Sequence, residues 1–423
     1  MYYKQHHDEF PNFREVPKTG VIYVMAEARK HGFHYGNENW ANLGQGAPET
    51  GALEGGPERL DNIPLSISTH EYGPVGGIQQ LREAVAELYN RRYRRGMGSK
   101  YSAENVAISA GGRIGLTRIA AALSAVNLGH FLPDYTAYEE LLDLFRDFVP
   151  IPILLDPEEG FVFHDDTLRK EIVGMGLGAV LMSNPCNPTG QVVAGETLQA
   201  WVDTARDLQC MMIFDEFYAH YVYDDVASNG GTLSAAAYVK DVNHDPVVLV
   251  DGFTKNWRYP GLRLSWTVGP RKIIDHIISA GSFLDGGAPH AIQKVAIPLL
   301  EQDLADAEAK SIQEHFSHKR EILLERISKL GMSPVAQPNG SFYCFASLKK
   351  LPDPLRNCMN FFNEAIKRRV ICVPGLFFDV NPGKRRSHIP SRLENYVRLS
   401  YGPPMDELTR GLDRFEAMIK SYV

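Results

Sequence analysis

The stretch Asp251-Gly-Phe-Thr-Lys255-Asn-Trp-Arg258-Tyr-Pro-Gly261-Leu-Arg263-Leu-Ser-Trp266 decides the fold. Pro246-Val-Val-Leu-Val250 precedes it, and four apolar, mostly β-branched residues after a proline predict a buried strand. That strand delivers Lys255 into a Gly- and aromatic-rich turn at a sheet end, where open α/β folds bind ligands. A second cation, Arg263, follows a Pro-Gly turn. A desolvated lysine amine can condense with an aldehyde, and a planar guanidinium suits a phosphate. A lysine after a strand is more often simply solvated, so the rest of the chain must decide.

Working outward, the same strand-then-ligand-loop grammar recurs. Met211-Met-Ile-Phe214 is an apolar strand ending in Asp215-Glu216-Phe-Tyr218, and an acid at the end of a buried strand calls for a cation. Ser183-Asn184-Pro185-Cys-Asn187-Pro188-Thr-Gly190 fixes a non-helical loop with two amides at a sheet edge. Val106–Ser109, Ala110-Gly111-Gly112-Arg113 and a following helix present backbone N–H groups as a phosphate site does. Pro133-Asp-Tyr135-Thr-Ala-Tyr138 puts two aromatic rings at another strand end. Tyr135, in the loop, suits stacking on a planar ligand, whereas Tyr138 suits the core. Asn42-Leu-Gly-Gln-Gly46-Ala-Pro48 and Tyr72-Gly-Pro74-Val-Gly76-Gly77 are Gly-Pro turns, the first as fit for a plain loop as for close backbone approach to a ligand.

Alternation of strand and helix from about residue 70 to 270 predicts an α/β fold: a large domain with a mostly parallel sheet covered by helices. A long charged helix over 303–330 leads to a smaller α+β domain formed by the N-terminal arm and the C-terminal third. The expected division is 1–48 for the arm, 49–305 for the large domain and 306–423 for the small one. The arm is expected to hold one helix near 21–31. Arg91, Arg92, Arg94 and Arg95 are expected as a solvated helix C-terminus. The basic run Lys384-Arg-Arg-Ser-His388 with Arg392, in the loop 383–392, reads either as a solvated surface loop or as a lid meeting an acidic substrate or the second subunit.

Of the 423 residues 44% are apolar and 22% charged, the profile of an ordinary globular protein. A formal charge of −7 gives no electrostatic reason for nucleic-acid binding. Five scattered cysteines read as reduced thiols of a cytoplasmic protein, no run reaches membrane-spanning length, and no cluster has metal-ligand spacing. The first residues, MYYKQHHDEFPNF, lack a signal-peptide core.

Taken together the motifs resemble the fold type I pyridoxal-phosphate enzymes, in particular the class I/II aminotransferases of the aspartate aminotransferase superfamily, in family order over nearly the whole chain. The segments that carry the resemblance are LGQGAP, Tyr-x-Pro-x-Gly-Gly, the small-residue turn, Pro-x-Tyr, Asn-Pro-x-Asn-Pro-Thr-Gly, Asp-Glu-x-Tyr, Thr-Lys…Gly-x-Arg and Tyr396-x-Arg398-Leu-Ser. The resemblance implies pyridoxal 5'-phosphate as cofactor, Lys255 as the Schiff-base lysine and general base, and Asp215 as partner of the pyridine nitrogen. It implies Asn187 and Tyr218 as donors to the phenolic oxygen, and Tyr135 as the stacking ring. Gly111, Gly112, Arg113, Thr254 and Arg263 would hold the phosphate, joined by Tyr72 from the other subunit of a homodimer with shared active sites. Arg398 would clamp the substrate carboxylate, with Gly46 and Asn187 beside it, and Tyr23, Trp257, Tyr343 and Phe377 are expected near the pocket walls.

The implied activity is ping-pong transfer of an amino group from an L-amino acid to a 2-oxo acid. The alternative is a lyase or oxidase built on the same cofactor site. A transcription regulator carrying the same fold is disfavoured by the acidic balance and by the lack of an N-terminal helix-turn-helix. The chain departs from the family pattern twice. Gly252 stands where many members have a phosphate-touching serine, and 272–319 contains no arginine, where dicarboxylate-specific members place one.

Overall fold

The structure, a computed structural model, describes residues 12, 16, 18, 20–223 and 231–422. Most of the expected arm before Gly20, including the first eleven residues, lies outside them. In chain order the elements are α1 (Gly20–Lys30), β1 (Ala41–Asn42), α2 (Gln79–Tyr93), β2 (Val106–Ser109), α3 (Gly112–Ala122), β3 (Asn127–Leu132), α4 (Tyr138–Leu144), β4 (Val149–Leu154) and α5 (Asp165–Met175). Then follow β5 (Leu177–Ser183), α6 (Gly195–Leu208), β6 (Met211–Asp215), β7 (Val247–Gly252), β8 (Ser265–Val268), α7 (Arg271–Leu284), α8 (His290–Ala296) and α9 (Gln302–Lys329). The C-terminal part adds β9 (Ser333–Pro334), β10 (Tyr343–Ser347), α10 (Cys358–Lys367), β11 (Val370–Ile371), β12 (Val373–Pro374), β13 (Tyr396–Ser400) and α11 (Met405–Lys420).

Seven strands form one sheet in the order β2-β8-β7-β6-β5-β3-β4. It is parallel except at β8, which runs antiparallel between β2 and β7. The central strands are apolar runs because helices cover both faces, and every residue of β7 is buried. Register brings the strand ends together: Ser183 pairs with Asp215, and Asp215 with Val250. One sheet edge therefore collects the loops after β3, β5, β6 and β7, the crevice position where such sheets bind ligands. A second, antiparallel sheet, β12-β13-β10-β9, carries Arg398 on β13. The short parallel pair β1–β11 ties the N-terminal segment to the C-terminal third.

Two expectations need correcting. Arg92 and Arg94 are not solvated. Arg94 is wholly buried and donates to the carbonyls of Ser99, Ala236 and Val239 at 2.7–2.9 Å. Arg92 pairs with Asp306 at 3.0 Å and faces His220. These two side chains of the helix C-terminus point into the protein, where Arg94 satisfies carbonyls that a loop would otherwise leave bare and Arg92 meets an acid and an imidazole. Trp257 is no pocket wall. It packs in the core against Phe253 and Trp266, with its indole N–H on the Leu299 carbonyl at 2.9 Å.

The basic loop 383–392 is a surface loop pinned to its own chain. Lys384 pairs with Glu139 of α4, Arg386 with Asp379 at 2.8 Å, and Arg392 donates to the Leu155 carbonyl at 3.2 Å. Arg385 and His388 remain exposed.

Candidate active site

The turn after β7 is held by a knot of side chains that aims Lys255 outward from the sheet edge. Asp251 Oδ1 accepts from Gly252 N (2.5 Å) and from Asn256 Nδ2 (2.7 Å), and Asn256 also bonds the Glu216 carbonyl and the His220 N–H. The Lys255 carbonyl is held by Tyr221 Oη at 3.0 Å. With Asn256 and the Lys255 carbonyl tied down, the lysine side chain reaches a cavity of about 360 Å³, its amine on the Gly46 carbonyl.

That cavity gathers most of the expected residues. Gly112, Arg113, Tyr135, Asn187, Asp215, Tyr218, Thr254, Lys255 and Arg263 all line it. It adjoins a larger volume of about 580 Å³, which shares Arg113, Tyr135, Asn187, Tyr218 and Lys255 and adds Gly46, Tyr343 and Arg398. Gly111 caps α3 with φ +92°, and a Cβ there would lie 2.4 Å from Arg263 Nη2, so the guanidinium packs directly on that bare backbone. Tyr72 is not in the cavity of its own chain and is fully exposed. Of the expected wall residues, Tyr23 and Phe377 pack against each other as tilted rings with centres 5.3 Å apart, and neither lines these two volumes.

The charges are poised for covalent and acid–base work. Burial pushes the Lys255 amine down to about 7, reinforced by Arg398, Arg263 and Arg113, with Asp215 opposing. Burial raises Asp215 to about 6, while hydrogen bonds from Tyr138 Oη (2.9 Å) and Phe217 N (3.4 Å) hold its charged form. Among the described residues both hydrogen-bond donors to Asp215 are neutral and Lys255 adds a favourable charge, so an acid at that depth still suits a further cationic partner. Thr254 Oγ1 is buried with no partner among the described residues, another donor suited to a ligand. These orphaned groups, the bare glycine turn at the start of α3 and Arg263 opposite it are the donor set a phosphorylated aldehyde on a protonated ring requires, so the residues present fit pyridoxal 5'-phosphate.

Arg398 sits 1% exposed, its guanidinium 4.1 Å from the Tyr343 ring centre. Nη1 donates to Asn187 Oδ1 (2.9 Å) and Nη2 to the Gly44 carbonyl (2.7 Å), while Nε has no partner among the described residues. Because the amide oxygen of Asn187 accepts from Arg398, its NH₂ is the end left for the cavity. Tyr218 Oη and Tyr343 Oη lie 3.0 Å apart, and Arg113 reaches Tyr135 Oη at 3.2 Å.

Sequence reasoning placed Tyr138 in the core, where it lies, but missed the reach of its hydroxyl, and it passed over Ser183 and Asp134. Tyr138 is buried, yet its hydroxyl bonds Asp215. The available signal was its position three residues after Tyr135 at the first turn of a helix, which turns both rings toward one side.

Gly252 also explains itself. A Cβ there would lie 2.6 Å from the Leu264 carbonyl and from Ser265 Cα on β8. Gly252→Ser is therefore expected to lower stability by about 1–3 kcal/mol through overpacking. It should not tighten the phosphate site. Denaturant unfolding of the apo-protein and cofactor titration measure the two effects, and a stable variant with tighter cofactor binding would contradict the packing argument.

The sequence profile of aminotransferase class I and II matches residues 38–415. An aspartate aminotransferase of Pyrococcus horikoshii is 25% identical over 387 residues, 90% of this chain and 91% of the relative. An aromatic-amino-acid aminotransferase 2 of Thermococcus litoralis is 25% identical over 397 residues, 91% of this chain and 93% of the relative. The solved structure of aspartate aminotransferase from Thermus thermophilus with maleate superimposes with a TM-score of 0.77 at 24% identity, covering 96% of this chain and all of that one. The last of these shows a shared fold. Among the described residues no helix is long and apolar enough to cross a membrane, and no group of three or more His, Cys, Asp or Glu is placed to hold a metal ion.

Proposed function

This chain belongs to the class I and II aminotransferases, and from that premise we propose that it moves an amino group from an L-amino acid to a 2-oxo acid with pyridoxal 5'-phosphate held at Lys255. The transaminase activity itself follows from the family and its named relatives, which do not favour a lyase outcome. The observation that carries the cofactor reading is the convergence of Lys255, Asp215, Asn187, Tyr218, Thr254 and Arg263 on one cavity.

When bound, pyridoxal 5'-phosphate supplies an aldehyde that amines can join and a ring that draws electrons from the carbon bearing the amine. Lys255 would provide the attachment amine and then hold and move the proton of the substrate α-carbon. Asp215, oriented by Tyr138, would keep the proton on the pyridine nitrogen. Asn187 and Tyr218 would donate to the phenolic oxygen, and Tyr135 would cover the ring. The N–H groups of Gly111, Gly112 and Arg113, with Thr254 and Arg263, would hold the phosphate. Arg398 would take the substrate α-carboxylate two-pronged, beside Gly46 and Asn187.

A homodimer fits the exposure of Leu65 (69%), Ile67 (85%) and Tyr72 (100%) on one segment and of Phe283 (73%) on α7. On this reading Tyr72 serves the partner's phosphate. The division at 49–305, with the N-terminal arm joining 306–423, would separate the cofactor-binding lobe from the lobe that carries Arg398. Five free, buried thiols fit a cytoplasmic protein.

The outer part of the substrate volume is walled by Val21 and Ile22 of α1 and by Leu141 and Leu144 of α4. Arg113, a cation facing the same space, is already engaged by Tyr135. The preferred donor is therefore an amino acid with a large apolar or aromatic side chain. A single-turnover reaction of the holo-enzyme with a donor panel, without an oxo-acid acceptor, tests both points. One oxo acid per site, with the cofactor left in its amine form, is the expected result. Product accumulating beyond one per site would overturn transfer, and aspartate reacting tenfold faster than leucine or tyrosine would overturn the donor class.

A further inference from the structure

Asp134 lies behind the cavity and lines neither volume, yet it ties together three elements of the site. It is 1% exposed in the loop between β3 and α4. Its Oδ1 accepts from the backbone N–H of Tyr135 at 2.7 Å and from Ser183 Oγ at 2.7 Å. Ser183 has one hydroxyl hydrogen, and Asp134 takes it. The Ser183 oxygen is then left with its lone pairs outward, and it accepts the N–H of Asn187 at 3.1 Å. Asn187 in turn accepts from Arg398 Nη1. The backbone N–H of Asp134 donates to the Phe378 carbonyl at 3.2 Å, and the Phe378 ring lies 5.1 Å from the Arg398 guanidinium. One side chain thus stands at the root of a chain that runs from the Tyr135 ring through the Asn187 amide to Arg398.

We infer that Asp134 is a positioning residue of the cofactor site, setting the Tyr135 ring on one side and the Asn187 amide on the other through a single shared acceptor. The inference rests on the cofactor reading above. A hydrophobic side chain at this position would leave the Tyr135 N–H and the Ser183 hydroxyl without their acceptor, and Ser183 could then turn its hydrogen away and release Asn187. Asparagine keeps the accepting oxygen and should preserve the chain. Small displacements matter here, because a shift of about 1 Å in a reacting group costs roughly 100-fold in rate.

The test compares Asp134→Ala and Asp134→Asn with the native holo-enzyme. Readouts are kcat and KM for one donor, the visible circular dichroism of bound pyridoxal 5'-phosphate, its dissociation constant from the apo-protein, and the thermal midpoint. Asp134→Ala is expected to lower kcat about 10- to 100-fold, to change KM by less than about threefold, and to alter the cofactor's dichroism, which reports ring orientation. Asp134→Asn is expected to restore kcat to within about threefold and to restore the native dichroism. Unchanged dichroism in the alanine variant, with kcat falling only in step with the thermal midpoint, would overturn the inference and leave Asp134 as a stability residue. An asparagine variant as damaged as the alanine one would also overturn it. A native protein that gives no cofactor signal at all would instead overturn the reading of the site on which this rests.

Discussion

Replacing Lys255 with alanine is expected to lower turnover by at least about 10⁴-fold while leaving the apo-protein folded. Two roles disappear together, the amine that attaches the cofactor and the base that moves the α-proton, and losses of this kind exceed those from removing a positioning contact. The fold does not depend on the side chain. Among the described residues the Lys255 amine donates to the Gly46 carbonyl alone, and it faces three guanidiniums.

The pH dependence follows from the same surroundings. With its native pKa near 7 and the ordinary value of 10.5 in the unfolded chain, the unfolded state binds more protons between those limits. This group therefore penalises the native state most below pH 7, and the penalty fades as pH rises toward 10.5. The apo Lys255→Ala protein should be at least as stable as the native apo-protein at pH 6, measured by denaturant unfolding. Near neutrality a substantial fraction of the native amine is unprotonated and nucleophilic, which suits it to attack an aldehyde. Retention of a tenth of native turnover by the alanine variant would refute the assignment of Lys255.

Arg398→Ala is expected to lower kcat/KM for amino acids by about 100- to 1,000-fold, with the cofactor retained. Truncating one partner of a buried, charge-assisted two-pronged pair costs about 2–5 kcal/mol. The wedge of Tyr343 and Phe378 around the guanidinium gives that charge its fixed direction. Steady-state kinetics with the preferred donor measures the loss, and the visible absorption of the bound cofactor provides the control. Loss of cofactor together with activity would place Arg398 among the cofactor anchors instead. The Asn187 amide, deprived of its donor, would also turn more freely, so some of the loss should appear in kcat.

The polar chemistry of the site was legible because each group sits in a local pattern whose backbone is dictated by its neighbours. A strand of β-branched residues must end where Gly252 and the following turn begin, and that ending exposes Lys255 whatever lies elsewhere in the chain. The Asn-Pro pairs around Asn184 and Asn187 forbid helix within a few residues, and the glycines before Arg113 open the start of α3 in the same way. The order of these motifs was enough to name the family.

Other features required the tertiary structure, because their meaning depends on partners far away in the chain. Tyr138 looks like a core residue until β6 brings Asp215, 77 positions later, to its hydroxyl. Asp134 has no local reason to matter, and its role appears only when Ser183 arrives 49 positions on. Arg92 and Arg94 read as solvent cations because a helix end carries no record of the carbonyls and acids that fold over it. Trp257 sits in a loop by sequence, yet three aromatic neighbours bury it. The sequence by itself determined which groups stand at the sheet edge, since strand ends and tight turns are set by near neighbours. Which of those groups are charged, oriented and paired was decided by packing across the sheet, since burial and hydrogen-bond partners are properties of the assembled fold.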